Sequence, residues 1–191
     1  MDQLVATPPG YPAELERAVT LRNGARVQIR PILPEDESRL IEVHERLSPD
    51  TAYRRFFTVM RTLPSELAHH LANVDYRRRL ALVAELLGGE VAAVIGVTRL
   101  EPMESPTTAE LALVVEDAWQ RLGLGAILLA HILQAGEQRG IADFRADVLT
   151  SNQAMLRLLA TRTEVTRRRV QPYGVTEIFF RRRSLSAMEM C

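Results

Sequence analysis

"VVEDAWQRLGLGAILLAHIL" (residues 114–133) decides how the rest of the chain is read. It opens as the end of an apolar run of strand length, "AELALVV" at 109–115, and closes as a helix with Leu124, Ile127 and Leu128 on one face. Gly123 and Gly125 stand where strand gives way to helix. The first turn of a helix has unpaired N–H groups and a partial positive charge, so it attracts anions, phosphate above all. A glycine lets the phosphate approach the backbone closely. "QRLGLGA" is therefore expected to cradle a diphosphate on the amides of Arg121, Leu122, Gly123, Leu124, Gly125 and Ala126, with Gln120 just ahead. Other nucleotide loops fit less well. The dinucleotide loop places its glycines directly after the strand and needs a third one; here Glu116, Asp117, Ala118 and Trp119 intervene and Leu128 holds the third place. The Walker loop needs a lysine, and all 24 Lys+Arg residues of this chain are arginine.

Outward from that junction, "ARVQIRPI" (25–32) alternates like a strand and stops at "LPEDE", where Pro34 and the acids Glu35, Asp36 and Glu37 mark a helix start. Ser48-Pro49 restarts a second helix, and "LPSELAHHLANV" (63–74) gives a third, with Ser65 as a cap. Apolar runs at 79–87, 90–101 and 109–115 follow, the first two joined by a Gly88-Gly89 hairpin. After the helix that Gly140 ends come a strand "DFRADVL", a helix "SNQAMLRLLAT" and two closing strands around Pro172-Tyr173-Gly174. Hairpin-linked strands joined to strand–helix–strand units predict an α/β (α+β mixed) domain: a central mixed twisted sheet of about seven strands with helices on both faces.

With 191 residues, 47% of them hydrophobic, the chain suits one domain with a real core, expected over 21–183. Residues 1–20, with Pro8, Pro9 and Pro12, read as an extended arm, and 184–191 as a tail. Zero formal charge supplies no global field to recruit nucleic acid or an anionic membrane, and the apolar stretch near 123–133 is too short to span a bilayer. The lone cysteine, Cys191, allows no internal disulfide and fits a reducing cytoplasm. No metal is expected: His69 and His70 are adjacent and cannot share a helix face, His44 is isolated, and His131 falls on the packing face of its helix. "AYRRFF" mixes arginine with aromatics, but Tyr53, Phe56 and Phe57 at helical spacing predict a packed face rather than a nucleic-acid surface.

The spacing Gln120-x-x-Gly123-x-Gly125 after "AELALVV" resembles the acyl-CoA motif of the GNAT superfamily of N-acyltransferases, and "DFRADVLTSNQAMLRLL" resembles its next motif, a strand followed by a helix opening with Asn152. "VQIRPILPEDESRL", "LSPDTAYRRFF", "LPSEL" and "VDYRRRLALVAE" are similar to the acyltransferase domain of bacterial Pat-type protein lysine acetyltransferases. The resemblance implies a GNAT fold and acetyl-CoA as cosubstrate. The pyrophosphate would rest on the amides of residues 121–126. The pantetheine arm would pair with the strand ending Leu113, Val114 and Val115, in a gap where it splays from the strand at 143–149. Asn152 would bind the arm or order the splay; as a plain residue it reads as a helix cap. The common family form has glycine at the place of Arg121; a side chain there suits amide donation if φ stays negative.

An amine attacks a thioester only as the free base, and lysine's ordinary pKa of about 10.4 leaves little of it at neutral pH, so a general base is needed. Glu110, ten residues before Gln120, matches the family's catalytic glutamate; without the family it reads as an exposed glutamate at a strand start. Glu116 and Asp117 read as solvent-facing turn acids. Many relatives place a tyrosine seven residues after the asparagine to protonate the thiolate; here Leu159 stands there, and Tyr173 is a weak substitute. The backbone N–H near Val114 would hold the oxyanion. The resemblance implies acetylation of a protein lysine, such as that of an acyl-CoA synthetase; acylation of a small amine or an N-terminus, or a non-catalytic acyl-CoA sensor, are the alternatives.

Overall fold

Asp36 fixes how the first helix leaves the sheet. Near the end of the second strand the Arg30 guanidinium donates to both carboxylate oxygens of Asp36, each at 2.7 Å, and to Glu85 at 3.1 Å. Asp36 is almost fully buried and also accepts from the Leu33 amide at 2.8 Å. A carboxylate so placed is tolerable only because arginine forks and a backbone amide satisfy it. The computed structural model describes residues 7–88 and 92–183. Its strands are β1 (Arg17–Thr20), β2 (Arg26–Pro31), β3 (Leu80–Leu86), β4 (Val94–Pro102), β5 (Thr108–Val115), β6 (Asp143–Leu149), β7 (Thr163–Gln171) and β8 (Val175–Arg182). The helices are α1 (Glu37–Arg46), α2 (Pro49–Phe56), α3 (Ser65–Ala72), α4 (Leu124–Glu137) and α5 (Gln153–Arg162).

The strands form one mixed sheet in the order β1-β2-β3-β4-β5-β6-β8-β7. Every neighbouring pair is antiparallel except β5–β6, which is parallel. One face packs on α4 and α5, where Leu128, Leu129, Ile132 and Leu159 meet Ile29, Leu82, Leu111 and Phe144. The other packs on α1 and α3, where Leu40, Ala68 and Ala72 meet Ala81, Val83 and Val97. Helices on both faces were expected; the eighth strand was not. β1 lies in the segment read as an extended arm and pairs with β2 across a turn in which Gly24 takes φ +86°. Asn23-Gly24 is the hairpin signal that the sequence reading passed over.

Ser48 caps α2 by accepting from the Thr51 amide at 3.2 Å, with Pro49 in the first turn as expected. Ser65 is not a cap; it is the first residue of α3, and Pro64 precedes it without a side-chain bond. The Gly88-Gly89 turn and Cys191 lie partly or wholly outside the described residues, although β3 and β4 pair as the hairpin requires. No helix among the described residues is long and apolar enough to cross a membrane.

The layer between α4 and the sheet is close-packed at Gly136. A Cβ there would lie 2.8 Å from Leu100 Cδ1 and 2.9 Å from Phe144 Cε1. Phe144 is fully buried and stacks on Phe180, so it has little room to yield. Gly136→Ala is expected to destabilise the fold by about 1–3 kcal/mol, the usual range for an overpacked core, read as a lower urea midpoint at unchanged slope.

Two buried histidines make the fold acid-sensitive. Burial, with the Arg17 charge adding to it, pushes His131 down to about 4. Burial also lowers His44, against the opposing charge of Glu45. Each is therefore neutral in the fold and more basic in the unfolded chain. Their stabilising contribution is complete above the unfolded value, about 6.5, and is lost as pH falls toward 4. His131→Leu should flatten the decline of the urea midpoint between pH 7 and pH 4.5 relative to the parent; equal declines would contradict this.

Candidate functional site

The site forms where the parallel pairing of β5 and β6 gives out. Only Thr108↔Asp143, Ala109↔Phe144 and Glu110↔Arg145 are in register. Beyond them β5 continues along β4 to Val115 and β6 continues along β8 to Leu149, so the two strands part. The β5 edge facing the wedge from Leu111 onward has no strand partner. A cavity of about 470 Å³ occupies the wedge, with Leu113, Val114, Val115, Gln120, Gly125 and Asn152 in its wall.

The turn that feeds α4 closes one end of the cavity. Gln120 donates its side-chain amide to the Val115 carbonyl at 3.0 Å, which ties the turn to the strand end. Arg121 follows in the left-handed region at φ +61°, then Gly123 at φ +97° and the first residue of α4. The condition set for a side chain at 121, a negative φ, is not met. The chain bends there as the glycine of the common form would, and a non-glycine residue so held carries strain of order 1–3 kcal/mol. The amides of residues 121–125 donate to no backbone acceptor among the described residues, whereas the Ala126 amide donates back to the Gly123 carbonyl at 3.1 Å. Leu122 and Leu124 turn their side chains into the core rather than the cavity. A Cβ on Gly125 would meet Leu113, Leu158 and Val115 at 3.6–3.9 Å, so this glycine keeps the wedge wide rather than relieving a clash.

Asn152 is the N-cap of α5, as its reading as a plain residue expected, accepting from the Met155 amide at 3.2 Å, and it lines the cavity as well. Glu116 and Asp117 do not face solvent idly. Glu116 accepts from Arg46 at 3.0 Å. Asp117 accepts from the Ser48 amide at 2.9 Å, the Ser48 hydroxyl at 2.8 Å and the Thr51 hydroxyl at 2.7 Å, which fastens α2 to the turn before α4. Partial burial works to raise its pKa, but those hydrogen bonds outweigh it and the carboxyl lies below its usual range.

Six arginines line the cavity: Arg22, Arg54, Arg55, Arg121, Arg157 and Arg162; no carboxylate does. Sequence reasoning found only Arg121. The others come from the β1–β2 turn, α2 and α5, and no sequence spacing indicates that they converge. Arg55 is pushed down to about 10, by burial first and then by the Arg99 charge, with Glu110 and Glu101 opposing.

Glu110 sits in a second, smaller cavity of about 150 Å³ with Phe57, Ala112 and Asp147. Arg54, Arg55, Leu113, Asn152 and Met155 line both cavities, so the two share a wall. In the sheet Glu110 stands between Glu101 of β4 and Arg145 of β6. Arg145 is held above its ordinary value: burial opposes this, but the hydrogen bond and charge of Asp147, then the charges of Glu110 and Glu177, outweigh it. Tyr173 is not brought to the site; it is fully exposed in the β7–β8 turn and lines neither cavity. Leu159 is buried under α5. The expected packed face of α2 is only partly formed, since Phe56 packs on the core while Tyr53 and Phe57 face outward. Among the described residues no cluster of three or more His, Cys, Asp or Glu could hold a metal.

Comparison with known proteins agrees with this geometry. Residues 42–162 match the acetyltransferase (GNAT) family. The chain is 29% identical over 136 residues to the acetyltransferase PA5475 of Pseudomonas aeruginosa, covering 71% of this chain and 73% of that protein. It is 32% identical over 142 residues to the acetyltransferase Pat of Mycolicibacterium smegmatis, covering 74% of this chain but 42% of that longer protein. The crystal structure of the GNAT domain of S. lividans PAT superposes with a TM-score of 0.79 at 31% identity, over 89% of this chain and 98% of that one. With more than half of its length matched, and with the splayed strands and the glycine turn in place, the chain belongs to the acetyltransferase (GNAT) family.

Proposed function

We propose that this acetyl-CoA-dependent GNAT acetyltransferase transfers the acetyl group to lysine side chains of a protein, with Glu110 as general base. An acyl-CoA synthetase is the type of acceptor that the likeness to Pat suggests. The observation that carries the reading is the pair of cavities sharing one wall: an arginine-lined groove without a carboxylate, and beside it a chamber holding Glu110. In a chain of zero formal charge, such a groove suits a polyanionic cosubstrate and little else. The pyrophosphate would take the free amides of residues 121–125, the pantetheine arm would pair with Leu113, Val114 and Val115, and the thioester would reach the shared wall.

The chemistry then follows from position. Glu110 accepts a proton from the acceptor ammonium, directly or through a water. The freed amine nitrogen attacks the thioester carbonyl carbon, a backbone N–H near Val114 stabilises the oxyanion, and the C–S bond breaks to release the CoA thiolate, while the second proton of the attacking nitrogen passes to that thiolate or to water as the amide forms. The thiolate is a good leaving group and needs no tyrosine at position 159. The lone cysteine supports a cytoplasmic setting. Incubation of the protein with labelled acetyl-CoA and a cell lysate should put label on lysines of protein; label confined to small molecules would transfer the reading to a small-amine acetyltransferase.

Two variants test the separate parts. Gly125→Glu projects a carboxylate from the groove wall toward the place of the pyrophosphate; acetyl-CoA binding by calorimetry should be lost while the far-ultraviolet spectrum stays that of the parent. Glu110→Gln should leave acetyl-CoA binding intact and lower turnover at neutral pH by roughly a hundred-fold to ten-thousand-fold, the worth of a positioned base. The loss should shrink as pH rises toward the acceptor's own pKa, because free amine then forms unaided. A loss that stays constant with pH would make Glu110 a binding residue instead.

A further inference from the structure

We infer that Arg22, in the turn between β1 and β2, binds the diphosphate of acetyl-CoA over the glycine turn, so that the N-terminal hairpin completes the cosubstrate site. This rests on the reading above, in which the diphosphate lies on the amides of residues 121–125. Two contacts bring Arg22 there. Its backbone amide donates to the Leu122 carbonyl at 3.3 Å, inside the glycine turn itself. Its side chain then runs past Gly123: a Cβ on that glycine would have the Arg22 Nε 3.9 Å away. Gly123 is the N-cap of α4, so the guanidinium stands beside the first-turn amides that lack a backbone acceptor. The hairpin holds it in place. Leu21 is buried in the core and its amide donates to the Ala25 carbonyl at 2.9 Å, while the Gly24 amide closes the turn on the Leu21 carbonyl at 2.9 Å.

Position along the groove and local charge select Arg22 for this task. Arg54 and Arg55 line the chamber of Glu110 as well and so mark the thioester end. Arg157 and Arg162 stand on α5. Arg22 and Arg121 are the two cavity arginines at the glycine turn. Arg22 is exposed and pairs with no carboxylate among the described residues. The acids that precede the turn are engaged by α1 and by the start of α2: Glu116 accepts from Arg46, and Asp117 from Ser48 and Thr51. On the hairpin's own side, Glu16 accepts from the Tyr11 hydroxyl. An arginine fork suits phosphate oxygens and adds charge-assisted hydrogen bonds to those of the amides. Residue 22 also lies outside residues 42–162, the span that matches the family, so this cation reaches the glycine turn from beyond the matched region.

Calorimetry of the full chain with CoA and with dephospho-CoA, which keeps the diphosphate and lacks the 3′-phosphate, tests the contact. Arg22→Gln should weaken both ligands by the same factor, about ten-fold or more, the usual worth of a hydrogen bond to a charged group. Its affinity should also fall less steeply than the parent's as salt rises. Arg22→Lys should recover part of the loss, because it keeps the charge without the fork. Arg26→Gln removes an exposed charge from the same hairpin outside the cavity and should leave both affinities at the parent's level. The melting temperatures of all three variants should confirm the fold. Unchanged affinity in Arg22→Gln would overturn the proposal. So would a loss with CoA that is absent with dephospho-CoA, which would give Arg22 to the 3′-phosphate, and so would an equal loss in Arg26→Gln, which would make the effect one of overall charge. Gly125→Glu separates the proposal from the reading beneath it. Lost CoA binding in Gly125→Glu beside full binding in Arg22→Gln would keep the amide cradle and overturn the role of Arg22; full binding in Gly125→Glu would overturn both.

Discussion

Three residue pairs of parallel sheet hold this architecture together. β5 and β6 are neighbours only from Thr108↔Asp143 to Glu110↔Arg145, and each strand then keeps its other partner while losing this one. If the pairing ran on, the backbone groups of residues 111–115 would be satisfied inside the sheet and the wedge would not exist. If it stopped sooner, nothing would hold Glu110 in line with Arg145. The helices that follow the two strands settle the matter. α4 and α5 pack on the same face of the sheet, and side chains of α5 such as Met155 and Leu158 pack against the core beside the wedge. An unpaired strand edge is usually a liability; here it is recessed between two helix starts and is offered only to a ligand narrow enough to enter.

Electrostatics divides the molecule more sharply than its net charge suggests. Zero formal charge conceals a groove with six arginines and no acid, and an adjoining face where acids and arginines pair closely. The carboxylates that neutralise the chain act as fasteners elsewhere. Asp36 and Glu85 hold Arg30 and Arg39 between β2, β3 and α1, and Asp117 clamps α2 beside the glycine turn. Placing acids where they tie elements together leaves the groove's cations, Arg54 with its 2.7 Å pair to Asp50 excepted, without an ion-pair partner among the described residues, a condition that favours binding a polyanion.

The sequence made legible what depends on neighbours along the chain. Gln120, Gly123 and Gly125 fall within one turn and their spacing encodes the helix start, whereas the wedge between the two strands was expected only from the resemblance to the family. Glu110 was singled out only by the resemblance to the family, through its offset of ten residues from Gln120; without it the residue reads as a glutamate at a strand start. What escaped depends on folding in three dimensions. Arg22, Arg54, Arg157 and Arg162 reach one cavity from three separate elements, and among 24 arginines nothing local marks them out. β1 escaped although Asn23-Gly24 announced its turn, because four residues with little apolar alternation stabilise a strand only once β2 lies beside it. Tyr173 failed as a candidate because the β7–β8 turn leaves it fully exposed and lining neither cavity, and the reading of Glu116 and Asp117 as turn acids missed their partners Arg46, Ser48 and Thr51, which lie some seventy positions earlier.

Arg121 changes the entropy of the glycine turn as well as its charge. A glycine in the left-handed conformation is free of steric strain but leaves the unfolded turn with the widest choice of conformations. An arginine at φ +61° reverses both effects, accepting local strain while restricting the unfolded ensemble. The turn it belongs to is further bound at both ends, by Gln120 to the Val115 carbonyl and by the Leu122 carbonyl to the Arg22 amide at 3.3 Å. A loop so constrained has little disorder left to lose when an anion arrives. More of the attraction between phosphate and amides then appears as affinity, and the same rigidity limits how far the loop can adapt to a ligand whose phosphates are spaced differently.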